Sequence, residues 1–189
     1  MEIWKLILIH QLIFQGMFVL KNVILSRKLD KKIRGHNFEA NISIAFFVLF
    51  IGVALIISSF NQTVGAVRLF GSTAAMTIGL VLLSLNIVVS GASLISLKDS
   101  WRVGVIEEQK TELISTGIYR YTRNPYFLSY LLMFASYTVL LQNLVLLFLS
   151  IIGFFLIHKM ILKEEEYLYS VHGDSFIRYK ESTPRYLIK

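Results

Sequence analysis

The chain has 189 residues, 55% of them hydrophobic and only 16% charged, with a formal net charge of +7 and a mean hydropathy of +0.63. Soluble domains carry about 25% charged residues, and here the deficit is concentrated: no charged residue falls between Ile42 and Phe60 or between Leu69 and Leu97. This pattern excludes a soluble globular domain, and the lack of cysteine excludes disulfides, thiolate metal sites and cysteine nucleophiles.

A helix needs about 20 apolar residues to cross a hydrocarbon core of about 30 Å. On that measure five spans are expected in an all-α, polytopic bundle: Ile3–Leu25, Ile42–Phe60, Leu69–Leu97, Tyr126–Leu141 and Leu144–Leu162. The N-terminus lacks a cationic leader region and a small-residue cleavage site, so the first run is expected to be a retained helix. It carries His10, Gln11, Gln15 and Lys21, so part of it must face other helices or the interface. Along the third span, Asn86, Ser90 and Ser93 share one helical face and are expected to pack and hydrogen-bond between helices. The fourth and fifth spans are joined by Gln142-Asn143 alone, which predicts a tight antiparallel hairpin. Pro125 precedes this hairpin, where a missing N–H costs nothing.

Lys and Arg are unevenly divided. Lys21–His36, Lys98–Pro125 and Lys159–Lys189 hold 17 of the 19 basic residues, and five spans put all three segments on one side; only Lys5 and Arg68 fall on the other. The positive-inside rule makes that side cytoplasmic, with the N-terminus outside and the C-terminus inside. The basic charge therefore reads as a topology signal and not as a nucleic-acid site. The same side owns the bulkier connections, Lys98–Pro125 and the tail Lys163–Lys189, and any soluble ligand is expected there. The organisation predicted is three transmembrane helices over 1–97, as anchor and possible substrate wall, and a functional region over 98–189.

Three segments on that side could carry chemistry. Gly117–Phe127 is aromatic, basic and donor-rich, and it runs into a helix N-terminus whose free N–H groups suit an anion; an interfacial aromatic belt is the blander explanation. At Lys159–Leu168, three consecutive carboxylates, Glu164, Glu165 and Glu166, sit at the end of a span. Either a new surface helix begins there with the acids in its first turn, or one or two of them bind a hydroxyl-bearing or cationic ligand. At His172–Tyr179, Gly173 reads as a helix C-cap and Asp174 or Ser175 as the next N-cap, with Phe176 and Tyr179 packing a short amphipathic helix. No metal-ligand set appears, and His10, His36, His158 and His172 show no ligand spacing.

Two of these segments match a known pattern: Gly-x-Tyr-Arg-x-x-Arg-His-Pro-x-Tyr before a helical hairpin, then Glu-Glu-x-x-Leu, a Phe-Gly-x-x-Tyr-x-x-Tyr stretch and a final Pro-Arg. The chain supplies Gly117, Tyr119, Arg120, Arg123 and Pro125, then Glu164, Glu165, Leu168, Gly173, Tyr179, Pro184 and Arg185. Upstream, Asp99–Gly104 is similar to the corresponding stretch of bacterial members. Residues 98–189 thus resemble the isoprenylcysteine carboxyl methyltransferase family and its phospholipid-methyltransferase relatives. Asn124 stands where the pattern has His, Phe127 where it has Tyr, and His172 where it has Phe.

The resemblance implies S-adenosylmethionine bound at the cytoplasmic face, with contacts from Gly117, Tyr119, Asn124, Phe127, Leu128, Glu164 and Glu165. It implies that Arg123 and Lys159 hold an anionic acceptor and that Glu164 binds cofactor or orients the acceptor. The acceptor would be lipophilic and arrive from the bilayer: a prenylcysteine-type carboxylate or a lipid-like hydroxyl or amine. A membrane reductase related to sterol reductases, using a nicotinamide cofactor, and a non-catalytic protein of the same fold are the alternatives.

Overall fold

The computed structural model describes residues 2–29, 35, 38–60, 63–103 and 112–187. Of the residues named or spanned above, Lys31, Lys32, Arg34, His36, Gly104, Lys110 and Lys189 lie outside them. Among the described residues six α-helices follow one another: α1 (Ile3–Leu29), α2 (Phe38–Ser59), α3 (Ser72–Ser96), α4 (Pro125–Leu141), α5 (Leu144–His172) and α6 (Asp174–Ser182). Among the described residues there is no strand. Helices α1, α2, α3 and α5 are long and apolar enough to cross a membrane, and α4 is a shorter apolar helix. The fold is the expected all-α polytopic bundle.

The polar residues of the spans hold the bundle together. His10 on α1 pairs through Nδ1 with the Tyr137 hydroxyl of α4 and through Nε2 with Asn86 Oδ1 of α3, both at 2.8 Å. Gln11 Nε2 also donates to Tyr137 Oη at 2.8 Å. Asn86 Nδ2 donates to the Ser129 carbonyl at 2.6 Å, and Ser136 Oγ to the Gly79 carbonyl at 2.8 Å. Asn86 Oδ1 can only accept, so His10 must carry its proton on Nε2 and take the Tyr137 proton at Nδ1. In the absence of water, such bonds fix which helix faces pair. Asn86, Ser90 and Ser93 are all buried, as their shared face predicted, although Ser93 Oγ returns to its own helix at the Val89 carbonyl.

In the C-terminal segment two expectations are not met. No new helix begins at the three carboxylates: α5 runs unbroken to His172. No glycine or proline lies between Lys163 and His172, so nothing interrupts its backbone bonds. Asp174 and Ser175 are not caps either; Gly173, at φ 51°, ends α5 with its N–H on the Tyr169 carbonyl and is itself the residue preceding α6. Phe176 and Tyr179 are buried beneath α6, as expected.

Candidate active site

The chemistry-bearing segments converge at the end of the bundle that carries the C-terminus. Gly117–Arg120 forms a short 3-10 turn that ends near the start of α4. Gly117 has φ 63°, and a Cβ there would lie 2.6 Å from Ser96 Oγ at the end of α3. The glycine is needed for its backbone angle and for close approach to α3. Pro125 occupies the first turn of α4, after Asn124.

Glu165 is the centre of the cluster. Its side chain is buried, and both carboxylate oxygens accept hydrogen bonds. Arg123 donates to Oε1 from Nε at 3.1 Å and from Nη2 at 2.9 Å. Arg185 donates from Nε to both oxygens at 3.2 Å and from Nη2 to Oε2 at 2.8 Å. Asn124 Nδ2 adds a longer bond to Oε1 at 3.3 Å. Burial alone would raise the Glu165 carboxyl, but the bonds from Arg185 and Arg123 outweigh it and hold it below the ordinary glutamate range. The same pairing raises Arg185.

A strap made of the residues after α6 is sewn over this pair. Arg123 Nη1 donates to the carbonyls of Lys180 and Thr183, and the Arg123 N–H to that of Pro184 at 3.0 Å. Thr122 Oγ1 and Asn124 Nδ2 both donate to the Arg185 carbonyl, at 3.0 and 3.2 Å. Tyr179 Oη donates to the Tyr119 carbonyl at 2.7 Å. Beyond Arg185 the strap turns back along α5, where Tyr186 Oη meets His158 Nδ1 at 2.9 Å. Arg123 is therefore committed to Glu165 and the strap, with only 6% of its side chain exposed.

Glu164, one residue away, is different. Its side chain is exposed, and among the described residues it forms no hydrogen bond or ion pair. It does feel its neighbours: its charge helps to raise the buried Tyr119 phenol, after burial itself and before Tyr179. The protein crowding Glu164, and then the Glu165 charge, push its carboxyl up to about 7.

The other expected site residues are spread around this pair. Asn124 is buried within the cluster, and Tyr119 is buried next to it. Phe127 and Leu128 are half-buried in the first turns of α4, with the Leu128 N–H on the Asn124 carbonyl at 2.9 Å. Lys159 is exposed on α5, more than a turn before Glu164. Sequence reasoning gave no site role to Arg185 or Thr122; the closing Pro-Arg of the pattern was the available signal for the first, and nothing marked the second.

Residues 74–175, more than half of the chain, match the phospholipid methyltransferase family. The chain belongs to that family. No curated protein matches it. The match runs from α3 through the hairpin and α5 into the start of α6, so this phospholipid methyltransferase family member places Glu164, Glu165 and Arg123 inside the matched stretch and the strap beyond it. Family membership brings with it methyltransferase activity at a membrane and a lipid-related substrate, in agreement with the resemblance read from the motifs.

Proposed function

We propose that this chain is an S-adenosylmethionine-dependent methyltransferase acting on a lipophilic acceptor that enters from the bilayer. The observation that carries the reading is the pairing of a saturated, buried Glu165 with an exposed Glu164 that has no hydrogen-bond or ion-pair partner among the described residues, both in the matched stretch. A carboxylate left open beside a fully satisfied cluster is a ready acceptor for ribose hydroxyls or an ammonium group, both of which this cofactor presents. When bound, S-adenosylmethionine supplies an electrophilic methyl group on a sulfonium. The site lies within residues 98–189, with α3 as its backing wall and the first helices as anchor. The termini follow the charge distribution, with the C-terminal side cytoplasmic.

In this reading the residues divide the work. Glu164 binds and orients the cofactor. Arg123, Glu165, Asn124 and Arg185 hold the 117–124 loop against α5, so that the acceptor and the methyl donor meet at a fixed distance. Positioning of that kind, with water excluded, provides most of the rate in a displacement that needs no covalent help from the protein. Lys159, open on α5, is left to attract an anionic headgroup. Glu164 and the 117–124 loop would hold the cofactor, which would supply its methyl group to the acceptor's lone pair, and the proton of a hydroxyl or N–H acceptor would pass to water.

Calorimetry of S-adenosylmethionine and its demethylated product with detergent-purified protein tests the reading, with a nicotinamide cofactor as contrast. Glu164→Gln is expected to weaken binding about 10- to 100-fold, as for a lost hydrogen bond to a charged group, with little change in melting temperature. Equal affinity in wild type and Glu164→Gln would sink the site assignment, and no binding to folded wild type would sink the cofactor.

A further inference from the structure

The strap is more than a cover. We propose that Arg185 is a positioning residue for the candidate site: by anchoring and neutralising Glu165, it governs how readily the neighbouring Glu164 carboxylate holds its negative charge. This deepens the reading above, because it rests on Glu164 being the ligand-facing acid.

The argument begins with the helix. Adjacent residues on an α-helix point about 100° apart, so Glu164 and Glu165 face different surroundings while their charges stay close enough to interact. Glu165 turns toward Arg123 and Arg185, whereas Glu164 is exposed and its charge is felt by Tyr119. Two like charges on successive residues oppose each other's ionisation. How strongly they do so here depends on how well the Glu165 charge is compensated. Arg123 is locked in place by backbone carbonyls as well as by Glu165. Arg185 is the adjustable member: 30% of its side chain is exposed, and it is carried by a strap rather than by a helix. Seated, it places a second positive charge 2.8 Å from Glu165 Oε2. Unseated, it leaves Glu165 paired by Arg123 alone, and Glu164 feels a less screened carboxylate.

The other groups around Glu164 do not reverse this. Tyr119 from the 3-10 turn is buried and neutral, as is Tyr179 from α6. Lys163 and Tyr167 share α5 with it, and Arg102 from the segment after α3 interacts with Tyr167. The Arg185 side chain bonds to none of these among the described residues, only to Glu165. The direction of the raised Glu164 carboxyl, with Glu165 among its causes, fits the arrangement.

Infrared titration of purified protein reads the effect directly. The carboxylic acid C=O band that disappears in Glu164→Gln reports Glu164, with no cofactor required. Glu165→Gln removes the like charge and is expected to lower the Glu164 midpoint by about one pH unit, whereas Arg185→Gln removes the compensating charge and should raise it by a smaller amount. Arg185→Lys, which keeps the charge, should leave it near the wild-type value. A merely structural strap would move none of these midpoints, or move both charge-removing variants in the same direction, and either result overturns the proposal. Should Glu165→Gln fail to fold, the contrast between Arg185→Gln and Arg185→Lys decides alone. Wild-type protein that binds no S-adenosylmethionine but shows the opposed shifts would refute the cofactor assignment and leave the role of Arg185 intact.

Discussion

The two ends of the bundle are closed by different chemistry. At the hairpin end the connection Gln142-Asn143 is knotted to the α2–α3 loop by neutral bonds. The Val67 N–H donates to the Gln142 carbonyl at 2.8 Å and the Leu144 N–H to that of Gly65 at 2.7 Å. Asn143 caps α5 through Val145 and Leu146 while its Nδ2 donates to the Val64 carbonyl at 2.8 Å. Gln142 Oε1 accepts from the N–H groups of Leu69 and Phe70. At the other end a buried carboxylate is gripped by two guanidinium groups. A neutral knot sets shape, and its bonds are individually modest. A charged clasp is worth little more than its desolvation cost while intact, yet fails badly when one member is removed. The end that is expensive to perturb is the one beside the candidate ligand site.

That contrast can be broken in order of size. Glu165→Ala leaves Arg123 buried without its counter-ion and should cost about 3–5 kcal/mol; a loss comparable to that of a surface substitution, in thermal unfolding followed by fluorescence, would show that the clasp is not what holds the strap. Asn143→Ala removes the α5 cap and the Val64 bond, and about 1–2 kcal/mol is expected.

The clasp alone should respond to acid. Because folding lowers the Glu165 carboxyl, its contribution is complete above the ordinary glutamate range and is lost as the pH falls through the lowered value. Melting temperature against pH should therefore fall on the acid side less steeply in Glu165→Gln than in wild type, whereas Asn143→Ala should keep the wild-type slope. Parallel curves for all three proteins would remove the electrostatic distinction between the two ends. The smallest effect belongs to Gln142→Gly. Gln142 has φ 42°, a conformation glycine adopts without strain, so relief there offsets part of the lost Oε1 contact and the net change should stay below about 1 kcal/mol.

Much of this was legible in the sequence for local reasons. The spans follow from uncharged runs, the hairpin from a two-residue link, and the Gly117 turn and the Glu164–Glu165 pair from a motif with fixed spacing. The sequence reading also placed Gln11 and Asn86 between helices, because polar side chains in a span need partners, and left His10 to other helices or the interface. It stopped α5 too early, since Glu164–Glu166 look like a first turn when charge alone is considered, although nothing in Lys163–His172 breaks a helix.

The all-α membrane architecture, the family and the stretch that holds the candidate site were therefore legible in the chain alone, because hydropathy and motif spacing are properties of neighbouring residues. Which acid of the pair is spent, and which has no partner among the described residues, depends on the folded arrangement. Glu164 and Glu165 are chemically identical and adjacent, and their difference arises from partners far away in the chain: Arg123 at the loop before α4, and Arg185 on a strap 20 residues beyond Glu165. Helical geometry sends the two carboxylates in different directions, and the folded chain supplies guanidinium groups in one of them.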